Sequence, residues 1–575
     1  MKNDIQKNTG ETRGLLLLWI APLVFLSLFY FFPLGKILHV SFARGVGGWV
    51  APLLEIIKSA SIRNVIGFTF WQAILSTILT LIIGLPGAFI LARYEFRGKP
   101  FIRAITGIPF VLPTLVVAAA FNALLGPRGW ANLILMNLLN LDQPPIQFIN
   151  TFIAILIAHV FYNLTIVLRM VGDFWSHLDP RMGKAAQVLG ANRIQSLYHV
   201  TIPLLLPAII SAALLVFIFD FTSFGVILIL GGPRFATLEV EIFYQTVSLF
   251  NLPLAATLSL IQLLCTLSLT IIYTHLSAKI TRPLHLTPQR ITQKKLADWQ
   301  SRMIIILYLG FILSLLMLPL VALVSRSFLK IDTNGLSTHS FSTFFTFDFY
   351  RELNINRTDS LFFVRPIQSI LISLGYALAT VILAITLGLP AAWALARDAK
   401  AAMNRVLDPI LMLPLGTSAV TLGLGFIVAL DQPPLDLRAS PLLIPIAHTL
   451  VAFPFVVRSL TPALRSIQPR IRQAASVMGA SPLQVFWHID LPLVGRALLV
   501  AATFAFTISL GEFGATALIS RPEYPTIPIM IYRFISQPGA LNYGKALALS
   551  TILMILTSTG MLVIEKFRIA DIGEF

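Results

Sequence analysis

Long runs of apolar residues recur along the chain, and they constrain its fold more than any other feature. The first run, GLLLLWIAPLVFLSLFYFFPL, extends from Gly14 to Leu34. A helix of about 20 apolar residues crosses the roughly 30 Å hydrocarbon core of a bilayer. Only 12% of the residues are charged, whereas soluble domains carry about 25%. Because a transmembrane β-barrel would show short segments of alternating hydrophobicity instead, the sequence predicts an all-α, polytopic membrane protein.

The apolar runs predict about twelve transmembrane helices. The first run follows a basic, polar N-terminus and has no small-residue cleavage site, so we expect a retained span rather than a signal peptide. The predicted spans are 14–35, 65–92, 105–126, 151–172, 203–230, 253–276, 302–326, 366–396, 407–430, 440–460, 492–519 and 544–565.

The two halves of the chain resemble each other at a constant separation. Gly190 matches Gly479 at 289 residues (479 − 190), within a series of matches in the same register. Upstream, GLPGAFILAR from Gly84 matches GLPAAWALAR from Gly388 at 304 residues (388 − 84). So many matches indicate a fused duplication of a six-helix unit. The predicted organisation is a first lobe at 1–278 (repeat domain about 65–276), a basic linker at 279–301 and a second lobe at 302–575 (repeat domain about 366–565).

The basic residues indicate how the chain is oriented in the membrane. The formal net charge is +17, and Lys and Arg concentrate in both termini, in alternate loops and in the linker. This is the positive-inside pattern, which predicts cytoplasmic termini and a multi-pass protein of the inner or plasma membrane. We therefore assign the basic excess to topology and the lipid bilayer, and expect no nucleic acid partner. Six spans separate equivalent positions, so both lobes have the same orientation, with a pseudo-twofold axis along the membrane normal.

One polar phrase occurs once in each half, in loops that this topology places in the cytoplasm. It reads KAAQVLGANRIQSLYHVTIP from Lys184 and QAASVMGASPLQVFWHIDLP from Gln473. The composition favours a short helix, which Gly190 or Gly479 ends because glycine tolerates a sharp turn. A second short helical piece follows, and a proline opens the next span. A connecting helix that packs on the membrane surface is the alternative interpretation.

This phrase resembles the cytoplasmic "EAA" loop of type I ABC importer permeases. In that family the loop is a coupling helix that docks onto an ATP-hydrolysing subunit, and the resemblance implies the same role here. Lys184 and Gln473 depart from the usual glutamate, and Arg496 replaces a usual second proline. The implied coupling residues are Lys184, Ala185, Ala186, Gly190, Ala191 and Pro203 in the first loop, and Gln473, Ala474, Ala475, Gly479, Ala480 and Pro492 in the second.

The resemblance also implies partners and a substrate class. Fused two-lobe permeases of this kind are similar to the thiamine and iron(III) importers, so a small thiamine-like or iron(III)-like cation is expected. An extracytoplasmic binding protein would deliver the substrate, and two copies of a cytoplasmic ABC ATPase would grip the two loops.

The sequence offers no catalytic site. GALNYGKA, from Gly539, nearly spells a phosphate-binding loop, but Ala546 replaces the hydroxyl residue that would bind magnesium. We therefore expect a transport subunit rather than an enzyme, with ATP and magnesium bound by the partner ATPase and no cofactor on this chain. His159 and His448 occupy equivalent positions in the two halves. Two imidazoles without carboxylate or thiolate ligands are too few to hold a metal ion well, so no metal site is predicted.

Two acids lie deep in equivalent spans. Asp220 stands three residues before Ser223, whereas Glu512 stands three residues after Ser509. On a helix, each acid and hydroxyl would share a face, with their order exchanged between the halves. Buried charges are expensive in a membrane and usually face a cavity or the bundle interior. We therefore hypothesise that these four residues line the translocation path and favour a cation; the alternative is an acid that is satisfied by neighbouring hydroxyls or backbone groups, or that is protonated.

Two other function classes remain open at this point. An ion-coupled secondary transporter would need intramembrane relays, for which two acids are few. A polytopic membrane enzyme would need acidic or histidine clusters near one membrane face. An ATPase that co-purifies in detergent would distinguish the importer from both.

Overall fold

A computed structural model describes residues 18–43, 54, 56–280, 293–295, 298–331, 343–355, 364–397, 402–431, 433 and 435–567. The basic N-terminus and most of the predicted linker lie outside these residues. The described chain is almost entirely helical, as predicted. Two short ladders are the exceptions: β1 (Tyr94–Glu95) pairs in parallel with β2 (Lys294–Lys295), and β3 (Leu329–Ile331) pairs antiparallel with β4 (Thr343–Phe345).

The helices follow one another through both halves of the chain. The first half contains α1 (Leu18–Phe42), α2 (Ala60–Arg93), α3 (Lys99–Val111), α4 (Thr114–Leu125), α5 (Trp130–Leu139), α6 (Phe152–His177), α7 (Arg181–Val188), α8 (Arg193–Phe221), α9 (Leu238–Val247) and α10 (Leu252–Ile280). The second half contains α11 (Trp299–Ser327), α12 (Gln368–Arg397), α13 (Ala402–Met412), α14 (Ala419–Ala429), α15 (Leu443–Ser466), α16 (Pro469–Val477), α17 (Pro482–Leu493), α18 (Gly495–Gly511), α19 (Gly514–Ile519), α20 (Ile527–Ser536) and α21 (Ala540–Phe567).

Within the described ranges, nine helices are long and apolar enough to cross a membrane, and three bent pairs raise the number to as many as twelve. The prediction of about twelve spans is therefore confirmed. Three predicted spans are bent rather than straight. The helix axis turns by 107° between α3 and α4, by 95° between α13 and α14, and by 73° between α17 and α18.

The first two bends occur at equivalent places, and their local sequence explains them. Pro113 precedes α4, and its missing N–H prevents the helix from continuing through it. In the second half, a 3₁₀ turn at Leu413–Gly416 ends the first arm. The hydroxyl of Ser418 then accepts hydrogen bonds from the N–H groups of Val420 and Thr421, which caps α14.

The described residues form two compact units that do not follow the order of the sequence. The first-repeat unit contains α2 to α8 together with α11. In its core, α2 packs on α6 and α8 through Ala88, Val167 and Val216. Helix α11 joins this unit through the indole N–H of Trp130, which donates to the hydroxyl of Ser325 at 2.8 Å.

The second-repeat unit contains α12 to α21, together with α1 and Ile242–Leu263. The hydroxyl oxygens of Tyr30 in α1 and Thr417 lie 2.7 Å apart, and Tyr30 is buried. Each repeat thus packs with the first helix of the other half. The lobe boundaries at 278 and 302 concern the order of the repeats in the sequence, and they stay a prediction.

Equivalent contacts recur in the two units at the separations found in the sequence. A Cβ atom on Gly84 would lie 2.6 Å from Val167, and one on Gly388 would lie 2.7 Å from Val456. Small residues at these positions let the helices approach closely, which is the usual basis of helix association in membranes. The hydrogen-bond pattern also recurs: the hydroxyl of Thr69 accepts from the N–H of Leu238, and the hydroxyl of Ser373 accepts from the N–H of Ile527.

Candidate functional site

Each repeat contains a bent helical segment, which we call a handle: residues 181–201 form handle 1 and residues 469–490 form handle 2. Handle 1 begins with α7, and Gly190 follows with a φ of +96°. The N–H of Ala191 donates to the carbonyl of Ala186 at 3.0 Å, which closes the end of the helix. Handle 2 repeats this turn, with Gly479 at a φ of +88°. The predicted glycine turns are therefore confirmed.

The second arm of each handle starts with a reciprocal cap that sequence reasoning missed. The side chain of Asn192 accepts from the N–H of Gln195, and the Gln195 side chain accepts from the N–H of Asn192. Ser481 and Gln484 form the same pair in handle 2. The N-x-x-Q and S-x-x-Q spacing of a capping box was the available signal. The first arm therefore ends just before each glycine, and a capping box begins the second arm just after it. Local interactions on both sides of the glycine thus favour the bend.

A π turn follows the cap in each handle, at Leu197–Thr201 and at Phe486–Asp490. Pro203 and Pro492 come directly after these turns, at the start of regular α-helix. Because proline cannot donate to the carbonyl four residues earlier, a widened turn removes the conflict. Pro203 therefore lies inside the continuous helix α8, and Pro492 lies near the end of α17, before the 73° bend that precedes α18. The prediction that each proline opens a span is wrong in this detail, because the second arm of each handle is already helical before its proline.

The tip of each handle is apolar and exposed. Val188 and Leu189 are 86% and 88% exposed, and Val477 and Met478 are 88% and 83% exposed. These two pairs directly precede the bend glycines, a position that sequence reasoning did not single out. Large apolar side chains at such exposure are typical of a surface that another molecule covers. The signal that identifies them is an apolar pair next to glycine in both copies.

The predicted coupling residues all lie on the handles or at their ends, but they differ in exposure. Lys184, Gln473, Ala185 and Ala474 are exposed, together with both bend glycines and both prolines. Ala186, Ala191 and Ala480 are half-buried, whereas Ala475 is buried. The second alanine of each pair and the alanine after each bend glycine thus pack partly or fully inward, and the remaining residues face outward on the handle surface.

A second group of candidate residues forms a buried polar cluster in the first-repeat unit. The Nε2 atom of His159 lies 2.9 Å from the hydroxyl of Ser223. Its Nδ1 atom lies 3.0 Å from the hydroxyl of Ser76 and 3.4 Å from Oδ1 of Asp220. The Asn163 side chain donates to the same Asp220 oxygen at 2.6 Å. Asp220 is fully buried, and this network joins α2, α6 and α8.

The equivalent cluster in the second-repeat unit surrounds His448. Its Nδ1 atom lies 2.7 Å from the hydroxyl of Ser509, and its Nε2 atom lies 3.2 Å from Glu512 and 2.8 Å from the hydroxyl of Thr516. Glu512 also accepts hydrogen bonds from the backbone N–H groups of Ala515 and Thr516 and from the Thr516 hydroxyl. Buried acids need such donors, because desolvation otherwise makes the charge unfavourable.

The acid faces opposite nitrogens of the histidine ring in the two units. Asp220 faces Nδ1 of its histidine, whereas Glu512 faces Nε2. This exchange matches the exchanged order in the sequence, but the expectation of a shared helical face is wrong. Helix α8 ends at Phe221, before Ser223, and α18 ends at Gly511, before Glu512. In each unit, the acid and the serine hydroxyl are connected through the histidine ring that both contact, and not through a shared helical face.

Both clusters are enclosed by residues of their own unit. Glu512 has donors on both carboxylate oxygens, which fits the alternative of an acid satisfied by neighbouring polar groups. In contrast, Oδ2 of Asp220 is buried with no hydrogen-bond partner among the described residues. A role of the four residues in the translocation path stays a prediction. Metal ligation was not predicted, and no group of three or more His, Cys, Asp or Glu side chains suited to a metal occurs in the described part of the chain.

Comparisons with known proteins identify the architecture. Residues 84–282 and 384–567 match the model of the binding-protein-dependent transport system inner membrane component family, once for each repeat. The thiamine transport system permease protein of Salmonella typhimurium is 27% identical over 520 residues, covering 88% of this chain and 90% of the relative. The corresponding protein of Escherichia coli is 27% identical, covering 90% of each chain. That of Brucella abortus is 27% identical, covering 92% of each. The chain therefore belongs to the family of inner membrane components of binding-protein-dependent transport systems, as a fused two-repeat permease.

Proposed function

We propose that this permease forms the translocation path of an ATP-driven importer and that its two handles are the contacts for cytoplasmic ATPase subunits. The supporting observation is that the same local structure occurs in both handles. Each has a first helix, a glycine bend, a second arm with an N-terminal capping box, and exposed apolar side chains next to the bend. ATP and magnesium would bind the partner subunits, and this chain would supply only the surface through which their movement reaches the lobes.

The proposed substrate is thiamine or a thiamine-like small cation. The support comes from the thiamine transport system permease proteins that match most of the chain at 27% identity. An extracytoplasmic binding protein would deliver the substrate, which accords with the description of the family. The same proposal places both termini in the cytoplasm, because the handles must face the ATPases.

Transport by the reconstituted system tests the substrate and the energy source together. The full chain, its candidate ATPase and its binding protein would be reconstituted in proteoliposomes, with labelled thiamine as the probe. We expect uptake that requires all three proteins and ATP. Uptake by the permease alone that collapses with a protonophore would instead indicate an ion-coupled secondary transporter. ATP-dependent uptake of iron(III) but not thiamine would contradict the substrate alone.

Cross-linking tests the docking surface. In a Cys265→Ala background, Leu189→Cys and Met478→Cys each place one reactive thiol on a handle tip. We expect both thiols to form cross-links with the ATPase when the complex is assembled. Leu442→Cys is the matched control, because Leu442 is also apolar and exposed but lies at the predicted outer end of its span. Labelling of the two handle thiols by a lipid-phase reagent, without a link to the ATPase, would favour handles that rest on the membrane.

We further propose that Asp220, Ser223, Ser509 and Glu512 border the translocation path. Asp220, Ser509 and Glu512 are buried and Ser223 is half-buried, so each unit must rearrange before a substrate can contact the acids. Ser223→Cys and Ser509→Cys, again without Cys265, would report this rearrangement through their reaction with a water-soluble thiol reagent. We expect labelling to increase when ATP is trapped on the complex, and unchanged labelling in every state would contradict a path role.

A further inference from the structure

We propose that Asp490 is a positioning residue that fastens handle 2 to its own unit, so that the two handles transmit ATPase movement unequally. This inference rests on the proposed function, because a handle needs a fastening only if another molecule moves it.

The Asp490 carboxylate is fully buried between two donors. The Arg472 Nε atom donates to Oδ1 at 2.7 Å, and the Trp393 indole N–H donates to Oδ2 at 2.8 Å. A charge-assisted hydrogen bond of this length belongs to the stronger class in proteins. Because both carboxylate oxygens have a donor, the buried charge is held in one position.

The three residues come from different elements, so the contact joins parts of the unit that would otherwise be separate. Arg472 lies on α16, the first arm of handle 2, and Asp490 lies in α17, its second arm. Trp393 lies near the end of the long helix α12. The Arg472 guanidinium also donates to the carbonyl of Leu464, near the end of α15, at 3.1 Å. One ion pair therefore ties both arms of the handle to two long helices.

Contacts with an aromatic ring and a guanidinium group hold the Trp393 indole against the Asp490 carboxylate. The ring of Phe486, in handle 2, lies 5.0 Å from the Trp393 ring between centroids. The Arg397 guanidinium lies 4.6 Å from the same ring centroid, within the range of a cation–π contact. The Trp393 side chain is thus packed as well as hydrogen-bonded, which limits how far handle 2 can tilt from α12.

Handle 1 lacks every member of this contact. The positions that correspond to Arg472, Asp490 and Trp393 are Gly183 (472 − 289), Thr201 (490 − 289) and Phe89 (393 − 304). In place of the ion pair, the hydroxyl of Ser196 donates to the carbonyl of Gly183 at 2.8 Å.

The contacts in the two handles differ in the free energy that is lost when they are broken. A neutral hydrogen bond can exchange with water at small net cost. Removing one member of a buried ion pair leaves a charge without compensation, and that change is strongly unfavourable. The second arm of handle 1 continues without a break into its span, whereas a 73° bend separates the second arm of handle 2 from α18. Handle 2 should therefore depend on the ion pair to follow its unit more than handle 1 depends on its neutral hydrogen bond.

The test compares variants in the complete complex of permease, ATPase and binding protein. Asp490→Asn keeps the size of the side chain and an acceptor for the indole, but removes the charge that holds Arg472. The readout is the number of substrate molecules imported per ATP hydrolysed, at equal amounts of assembled complex. We expect this ratio to fall by about tenfold or more, because tenfold corresponds to only about 1.4 kcal/mol. Arg472→Lys, which retains the charge, should recover part of the loss that Arg472→Ala shows.

Two comparisons separate positioning from a general loss of stability. Asp431→Asn is the matched control, because Asp431 pairs with Arg438 in the same unit at 4.0 Å but at an exposed site, where ion pairs contribute little. Ser196→Ala removes the neutral fastening of handle 1 and should lower the ratio less than Asp490→Asn does.

A spin label gives a readout that does not depend on activity. In the Cys265→Ala background, a nitroxide at Val477 reports on handle 2 and one at Val188 reports on handle 1. Asp490→Asn should increase the mobility of the label at 477 and leave the label at 188 unchanged.

The outcomes distinguish this inference from the proposed function. If the wild-type complex shows no ATP-dependent uptake, the proposed function fails, whatever the variants do. If the wild type couples uptake to ATP but Asp490→Asn leaves both the ratio and the label at 477 unchanged, only the positioning role of Asp490 is overturned. Equal losses from Ser196→Ala and Asp490→Asn would overturn the inequality of the two handles.

Discussion

The bend glycines allow the sharpest test of the handles. The free-energy cost of replacing them has two possible sources, backbone strain at a positive φ and steric contact of the added side chain, and the structure distinguishes the two. Gly190 and Gly479 have φ values of +96° and +88°, a region that L side chains rarely adopt. An added Cβ atom would meet nothing within 4 Å at either position. Replacement therefore adds no collision, and the cost is backbone strain alone. For an ordinary side chain that cost is about 1–2 kcal/mol per residue.

This strain predicts a graded series at Gly190. Asn tolerates the left-handed region better than other residues do, so Gly190→Asn should retain most coupling. Ala should lose about 1–2 kcal/mol of preference for the bend, which corresponds to roughly fivefold to thirtyfold fewer correctly bent handles. Val should lose more, since a branched side chain is a stronger outlier there. Gly190→Val combined with Gly479→Val should leave the spans inserted but uncouple ATP hydrolysis from uptake.

Gly98 provides a matched control for this series. Its φ is +90°, an added Cβ atom also meets nothing within 4 Å, and it lies outside both handles. Gly98→Val should therefore carry a similar strain without changing the docking surface. The assay is ATP hydrolysis and uptake measured on the same proteoliposomes. Equal uncoupling by Gly98→Val, or full coupling by the Gly190→Val and Gly479→Val double variant, would refute the reasoning.

Three further predictions concern the handle tip, the helix packing and the histidine clusters. Met478→Ser should weaken ATPase binding about tenfold to a hundredfold in a pull-down titration, because burying a Met side chain is worth about 1.5–3 kcal/mol; unchanged affinity would place the tip outside the interface. Gly388→Leu should destabilise the detergent-solubilised protein by about 1–3 kcal/mol through collision with Val456, and Val456→Ala should restore part of the lost thermal stability. His448→Ala should lower the melting temperature by removing a partner from buried Glu512, at about 1–3 kcal/mol, and an unaltered transition would show that the cluster contributes nothing to stability.

Local pattern accounts for most of what could be predicted about the fold. Apolar run length specifies the spans because lipid imposes one minimum length on every helix. The repeat register predicted equivalences that the structure bears out in detail, such as the close approach of Gly84 to Val167 and of Gly388 to Val456. The bend glycines were also predictable, since a positive φ is a local property of the chain.

The bends within predicted spans and the exchange of first helices were not predictable in the same way. A run of apolar residues has the same hydropathy whether its helix is straight or bent. Proline alone does not decide between them, because Pro86 lies inside the long helix α2 whereas Pro113 lies at a bend. The packing of α1 with the second repeat depends on contacts such as that between Tyr30 and Thr417, which are 387 positions apart. No periodicity within either segment reports such a contact.

The sequence by itself determined an all-helical membrane chain, its duplication and the two glycine-bent handles, because hydropathy, repeat register and turn chemistry act over short distances. Only the tertiary structure decided what surrounds the buried groups. It buried Asp220 and Glu512 next to histidine rings. It also joined Arg472, Asp490 and Trp393 at handle 2, a contact that has no counterpart at handle 1. The physical reason is that the free energy of a buried charge depends on donors brought from distant segments, and those donors are specified only once the helices have packed.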